Sequence, residues 1–154
     1  MIFDSWFLIF DCLKLHPYAS GFISTKTSSY EQIRTRGKAM ADAKERLINF
    51  SVLIVSISSR LKKTKPAIIL ENQVLRSGTS CALNYGEVTG AESNKDFIHK
   101  IQVVLKELRE THIALRIIKR ADLSRDISLL DNGIDENNQF ISIFVKSITT
   151  LKNN

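Results

Sequence analysis

The sequence predicts an all-α protein, an antiparallel up-down-up-down four-helix bundle. Two observations carry that expectation. Six Gly and two Pro in 154 residues leave little punctuation, which suits a few long helices better than many short strands. After Met40, apolar residues recur at spacings of three and four in four successive stretches with short breaks between them. The rest of the composition fits one soluble domain with a real core: 44% hydrophobic and 25% charged. Cys12 and Cys81 cannot build a disulfide framework, so a cytoplasmic protein is expected.

The first helix is expected over residues 41–63, on the stripe Leu47, Phe50, Ile54, Ile57 and Leu61. Lys62, Lys63 and Lys65 suit the negative end of its dipole. Thr64-Lys65-Pro66 then breaks the chain, and Pro66 fits the first turn of a second helix. That helix follows Val74, Gly78, Cys81, Tyr85 and Val88, and its centre from Ser77 to Ala82 is unusually small. Glycine inside a helix costs about 1 kcal/mol relative to alanine. Gly78 therefore predicts close approach by a neighbouring backbone or large side chain; a break at residues 77–79 is the alternative.

Thr89-Gly90-Ala91 closes the second helix, and Ser93 followed by Asp96 resembles a capping box opening the third. The third stripe is Phe97, Ile101, Val104, Leu108, Thr111, Leu115 and Ile118, ending near Ala121. In the last stretch Asp131-Asn132-Gly133 reads as a turn. Yet Ile127, Leu130, Ile134, Asn137, Ile141, Phe144, Ile148 and Leu151 keep one heptad phase straight through it. One long helix is expected, capped by Ser124 and weakened near Gly133. Asn137 on the apolar stripe either fixes register or oligomeric state, or is merely exposed.

Hairpin geometry sets a crude register. With turns near residues 64 and 91, Phe50 lies level with Gly78, Asn84 with His99, Glu87 with Lys95, and Arg76 with Lys106 and Glu107. The margin is about one turn.

Residues 1–30 differ in kind. They hold seven of the twelve aromatics and only four charges, Asp4, Asp11, Lys14 and Lys26. No basic residue precedes the apolar run, and the two aspartates interrupt it, which argues against a signal peptide or a bilayer span. Phe3, Phe7 and Phe10 allow a surface-lying amphipathic helix, but its polar face lacks the usual Lys and Arg. The simpler reading makes residues 1–39 an extension outside the fold and residues 40–154 the bundle, with Met40 as the natural start.

No catalytic, metal or cofactor motif is present. His99 and His112 are thirteen apart with no ligand at metal spacing. Asp96 and His99 have no nucleophile beside them, Arg-Ser-Gly-Thr-Ser lacks the P-loop lysine, and Cys81 reads as a buried filler. The formal charge is +6 with a pI near 9.4. Residues 1–39 hold five basic and three acidic side chains, leaving 17 against 13, or +4, on the bundle. Lys106, Arg109, Arg116 and Arg120 fall on one flank of the third helix with Lys119 beside them, and could follow phosphates. Lys119 and Arg120 equally suit the helix dipole. Repeated around an oligomer, the same charge becomes a substantial positive field.

Residues 75–116 carry a resemblance. Leu75-Arg76-Ser77-Gly78-Thr79-Ser80, then Asn84 and Glu87, then Ser93-Asn94-Lys95-Asp96-Phe97-Ile98 appear in order. Leu105-Lys106-Glu107-Leu108-Arg109-Glu110-Thr111 and Leu115-Arg116 follow. Together they resemble the bacterial four-helix bundle family named for intervening sequences in large-subunit ribosomal RNA genes. The resemblance covers residues 40–154 and departs at Cys81-Ala82-Leu83, where the family has a Gly- or Ala-rich run. It implies a four-helix bundle forming a five-fold ring, similar to the accessory variability protein of diversity-generating retroelements, which binds nucleic acid and a reverse transcriptase. No biochemical activity is implied for the intervening-sequence type.

The combined expectation is a non-enzymatic homo-oligomeric module, a pentamer by resemblance, with no membrane or small-molecule partner. RNA or a nucleoprotein is its expected partner, with phosphate contacts from Lys106, Arg109, Arg116, Lys119 and Arg120. Arg76, Asn84, Glu87, Glu107 and Glu110 are assigned to polar contacts between helices or subunits. The alternative is an assembly module that recruits a protein and touches no nucleic acid.

Overall fold

A computed structural model describes residues 29–153, which form four helices: α1 Ser29–Ser59, α2 Lys65–Val88, α3 Asn94–Arg120 and α4 Ile127–Asn153. Each helix packs against two neighbours, α1 on α2 and α4, and α3 on α2 and α4, while the diagonal pairs do not meet. This is the up-down-up-down bundle that the apolar stripes predict. The stripes converge on one core, in which Leu47, Ile54, Val74, Ile101, Leu108 and Leu115 are fully buried. Aromatic rings fill its α4 side: Phe50 lies 5.6 Å from Phe140, Phe140 6.2 Å from Phe144, and Tyr85 5.9 Å from Phe144.

Two loops lock together at one end. Lys62 N donates to Leu123 O at 2.8 Å and Arg125 N to Arg60 O at 2.9 Å, with a Lys62–Asp122 ion pair alongside. Asp122, at φ 51°, takes the left-handed conformation that terminates α3. Leu123 N then returns to Ile118 O at 3.0 Å and Asp122 N to Lys119 O at 3.2 Å, a Schellman closure.

Several expectations need correction. Helix α1 begins at Ser29, not residue 41, and runs unbroken through Met40. Residues 1–28, and most of the expectation about the N-terminal extension, lie outside the described residues. Helix α1 also ends at Ser59, so Lys62 and Lys63 do not sit on its last turn but pair with Asp122 and Glu71. Helix α2 is continuous through residues 77–79. Gly78 does admit a neighbour, but that neighbour is Ile54, not Phe50: a Cβ at Gly78 would stand 2.8 Å from Ile54 Cγ2. Ser51 Oγ donates to Gly78 O at 3.2 Å, so the register itself falls within its margin of one turn.

Helix α4 is unbroken through Gly133, where a Cβ would collide with Ile57 Cδ1. The glycine serves close packing, not local weakness. Its N-cap is Asp126 rather than Ser124: Asp126 Oδ1 accepts from Leu129 N at 2.9 Å, and Ser124 Oγ accepts from Asp126 N at 3.1 Å. At α3 the cap is as expected, with Ser93 Oγ accepting from Asp96 N at 3.1 Å. The reciprocal bond differs, because Asp96 Oδ2 accepts from Glu92 N instead of Ser93 N.

Candidate nucleic-acid interface

Helix α3 supplies the functional candidates, and its neighbours decide which cations stay free. Leu108, Thr111, Leu115 and Ile118 pin its inner face to the core. The flank toward α4 then carries Arg109, His112, Arg116 and Arg120, at spacings of three and four. These residues border a shallow groove between α3 and α4 with two pits. One, of about 290 Å³, is lined by Gln102, Leu105, Arg109, Val145, Ile148 and Thr149. The other, of about 310 Å³, is lined by His112, Arg116, Lys119, Arg120, Ile134 and Asn138.

The five expected phosphate contacts separate into two groups. Arg109, Arg116 and Arg120 are exposed and form no ion pair or hydrogen bond with any described residue. Lys119 is engaged by Asp131 of α4 at 2.5 Å. Lys106 leans away from the groove, 3.5 Å from Glu110 and 3.8 Å from Glu107. Of the five, three therefore stay free, about 10 Å and 6 Å apart along the helix axis.

His112, which from its spacing is a candidate only for metal binding, joins them. It lies one turn before Arg116, and its Nδ1 is sheltered without a hydrogen-bond partner. Partial burial and the Arg116 charge hold the imidazole below its ordinary range, so it is neutral near pH 7. Its spacing of four from Arg116 was the available sign. Asn138, from α4, had no such sign, because its place opposite His112 depends on the α3–α4 register.

The expected structural contacts also divide. Glu110 accepts from Gln73 Nε2 at 3.3 Å and from Arg76 Nη2 at 3.2 Å, joining α2 to α3. Arg76 meets Glu110 rather than Lys106 or Glu107, about a turn from the expected register. No bond joins Glu87 to Lys95 or Asn84 to His99 among the described residues. Glu107 is buried, and its Oε2 has no partner. Close by, Thr111 Oγ1 lies 2.8 Å from Ser77 Oγ, while Ser77 donates to the Gln73 carbonyl. Burial, and then the Glu107 charge, push the Cys81 thiol up to about 12, which makes it a poor nucleophile. Among the described residues no group of His, Cys, Asp and Glu has metal-binding geometry. No described helix is long and apolar enough to cross a membrane.

A search of curated proteins finds no match. Among solved structures, the chain is similar to a protein of unknown function from the S23 ribosomal protein family of Bacteroides thetaiotaomicron. The two are 27% identical with a TM-score of 0.62, covering 71% of this chain and 97% of that one. Residues 41–142 match the family model described as 23S rRNA-intervening sequence protein. That match takes in most of the bundle and every basic residue of the groove, and the chain belongs to the 23S rRNA-intervening sequence protein family.

Proposed function

We propose that this chain is a non-enzymatic, self-associating helical bundle that binds RNA, alone or within a nucleoprotein, through the α3–α4 groove. The observation that carries this reading is the row of exposed, unpaired cations Arg109, Arg116 and Arg120 along one groove. Cations placed along a groove follow a sugar–phosphate backbone and release counterions when they neutralise it. Lys106 and Lys119 contribute less, because carboxylates already hold them.

Self-association is supported by the outer surface of α1 and α2. Residues 47–59 of α1 contain no charged side chain, and Ile48, Val52 and Val55 form an exposed stripe there, 38–58% accessible. Leu83 of α2 is 72% accessible. Exposed apolar stripes of this kind suit contact between copies. A five-fold ring is the assembly that the family resemblance implies, and it would repeat the basic groove five times.

Fluorescence anisotropy of the full chain tests RNA binding, with structured ribosomal RNA and unrelated single strands across a salt series. Micromolar or tighter binding with a steep negative salt slope is expected. Reversing Arg109, Arg116 and Arg120 to Glu should weaken it by about tenfold or more and flatten the slope by about two. Native mass and circular dichroism should not change, and Lys95→Glu should have little effect. Absence of binding at low salt rejects the RNA reading and leaves an assembly module that recruits a protein.

A further inference from the structure

The pit at the end of the α3–α4 groove differs from a simple stripe of charge. Arg116 and Arg120 project from successive turns of α3, and Asn138 faces them from α4. Lys119 also reaches the rim, but Asp131 holds it and thereby ties the two helices together there. No carboxylate lines the pit. Two guanidinium forks, an imidazole and an amide thus surround a space of about 310 Å³, and the Asp131 carboxylate at its rim is committed to Lys119. His112 Nδ1 is sheltered and unpartnered.

We propose that this pit binds a dianionic phosphate, the terminal monoester at the end of a nucleic-acid strand, with Arg116 and Arg120 as its clamps and His112 as a third contact. The proposal rests on the RNA reading of the same groove and adds the chemical class of the group it receives. A phosphomonoester carries about −1.5 to −2 charge near pH 7 and three strong acceptor oxygens. An internal diester carries about one charge and two free oxygens. Forked guanidinium donors match the former, because each can grip two oxygens.

Binding should also move a proton. The charged groups around His112 are Arg109, Arg116, Lys119 and Arg120 of α3 and Asp131 of α4; Asp135 and Glu136 line the opposite seam of α4, with α1. In the free protein partial burial, and then the Arg116 charge, keep the imidazole neutral. A dianion between the two arginines reverses the local field, and His112 takes up a proton as the complex forms. Affinity therefore rises as pH falls from about 8 toward the imidazole range.

The test uses the full chain and one short oligoribonucleotide labelled at its 3′ end, with either a 5′-phosphate or a 5′-hydroxyl. Anisotropy should show the phosphorylated strand binding about tenfold tighter. Arg116→Gln with Arg120→Gln should weaken both strands but the phosphorylated one more, so that the preference disappears and the two bind alike. Both side chains are exposed, so neither change threatens folding. Titration calorimetry in buffers of different ionisation enthalpy should detect proton uptake, lost in His112→Gln. Equal affinity for the two strands overturns the inference but leaves the RNA reading standing; no binding of either strand overturns both. Inorganic phosphate binding as tightly as the phosphorylated strand assigns the pit to a free small anion, and overturns the strand-end assignment.

Discussion

Gly78, Gly133 and Gly86 are all helical glycines, yet their surroundings give them opposite meanings. Gly78 and Gly133 lie where Ile54 and Ile57 press against the helix backbone, while a Cβ at Gly86 would meet nothing within 4 Å. Gly86→Ala should therefore stabilise the bundle by up to about 1 kcal/mol through helix propensity. Gly78→Ala should instead destabilise it by about 1–3 kcal/mol, because the branched Ile54 must move within a packed core. Urea denaturation of the two variants reads both signs. Asn137 makes a different case, since it is fully buried with neither amide atom bonded. Its merely exposed reading is ruled out, and what remains is a polar group kept in the core at a cost. Asn137→Leu should raise the melting temperature, with a gain of about 1–3 kcal/mol. A fall in stability would show that a buried water satisfies the amide inside the core.

At the level of whole helices, the ends and the seams behave differently. Apolar spacing placed all four helices, but their termini depend on single side chains. Asp126 caps α4 through Leu129 N, so Asp126→Ala should cost about 1 kcal/mol in urea denaturation, while Ser124→Ala, at a residue outside the cap, should cost less. The α1–α4 seam depends on Arg46, whose guanidinium bonds Glu136 and Gln139 and lies 4.8 Å from the centre of the Phe140 ring. Across α2–α3 the tie is Glu110 with Gln73 and Arg76. Helix α3 is thus held to α2 by a polar cluster and to α4 by the Lys119–Asp131 pair. Between those ties its Arg109, Arg116 and Arg120 side chains remain open to solvent.

For the molecule as a whole, exposed apolar side chains are not confined to one face, since Ile113 and Ile117 of α3 and Val145 of α4 are exposed on the helices that carry the arginines. The arginine groove lies on α3 and α4, whereas the uncharged stretch of α1 presents Ile48, Val52 and Val55 on another side. The α1 stripe is thus a surface apart from the groove proposed for nucleic acid. Native mass spectrometry of the full chain should give a mass several times that of one subunit. Val52→Glu with Val55→Glu should reduce it to one subunit without loss of helical circular dichroism. A monomeric wild-type chain would reject the ring and leave each basic groove to act alone.

Helix number, order and the inner faces of α1, α2 and α3 were legible in the linear pattern, because amphipathic periodicity is a local property and a bundle is its direct packing solution; on α4 the expected stripe included the exposed Ile127 and missed the fully buried Phe140. The family signature was equally legible in residues 75–116. Which cations stay free could not be read there. Lys106 and Arg109 look alike on a helical wheel, but Lys106 leans toward Glu110 and Arg109 lines the α4 groove. Gly78 announced a close neighbour, yet Ile54 rather than Phe50 fills the space, because one turn of slip between helices is invisible to periodicity. The pit joining His112, Arg116 and Arg120 to Asn138 required the α3–α4 register, which packing sets through contacts far apart in the chain. Local spacing determined what each helix is; interhelical packing determined which side chains meet across it.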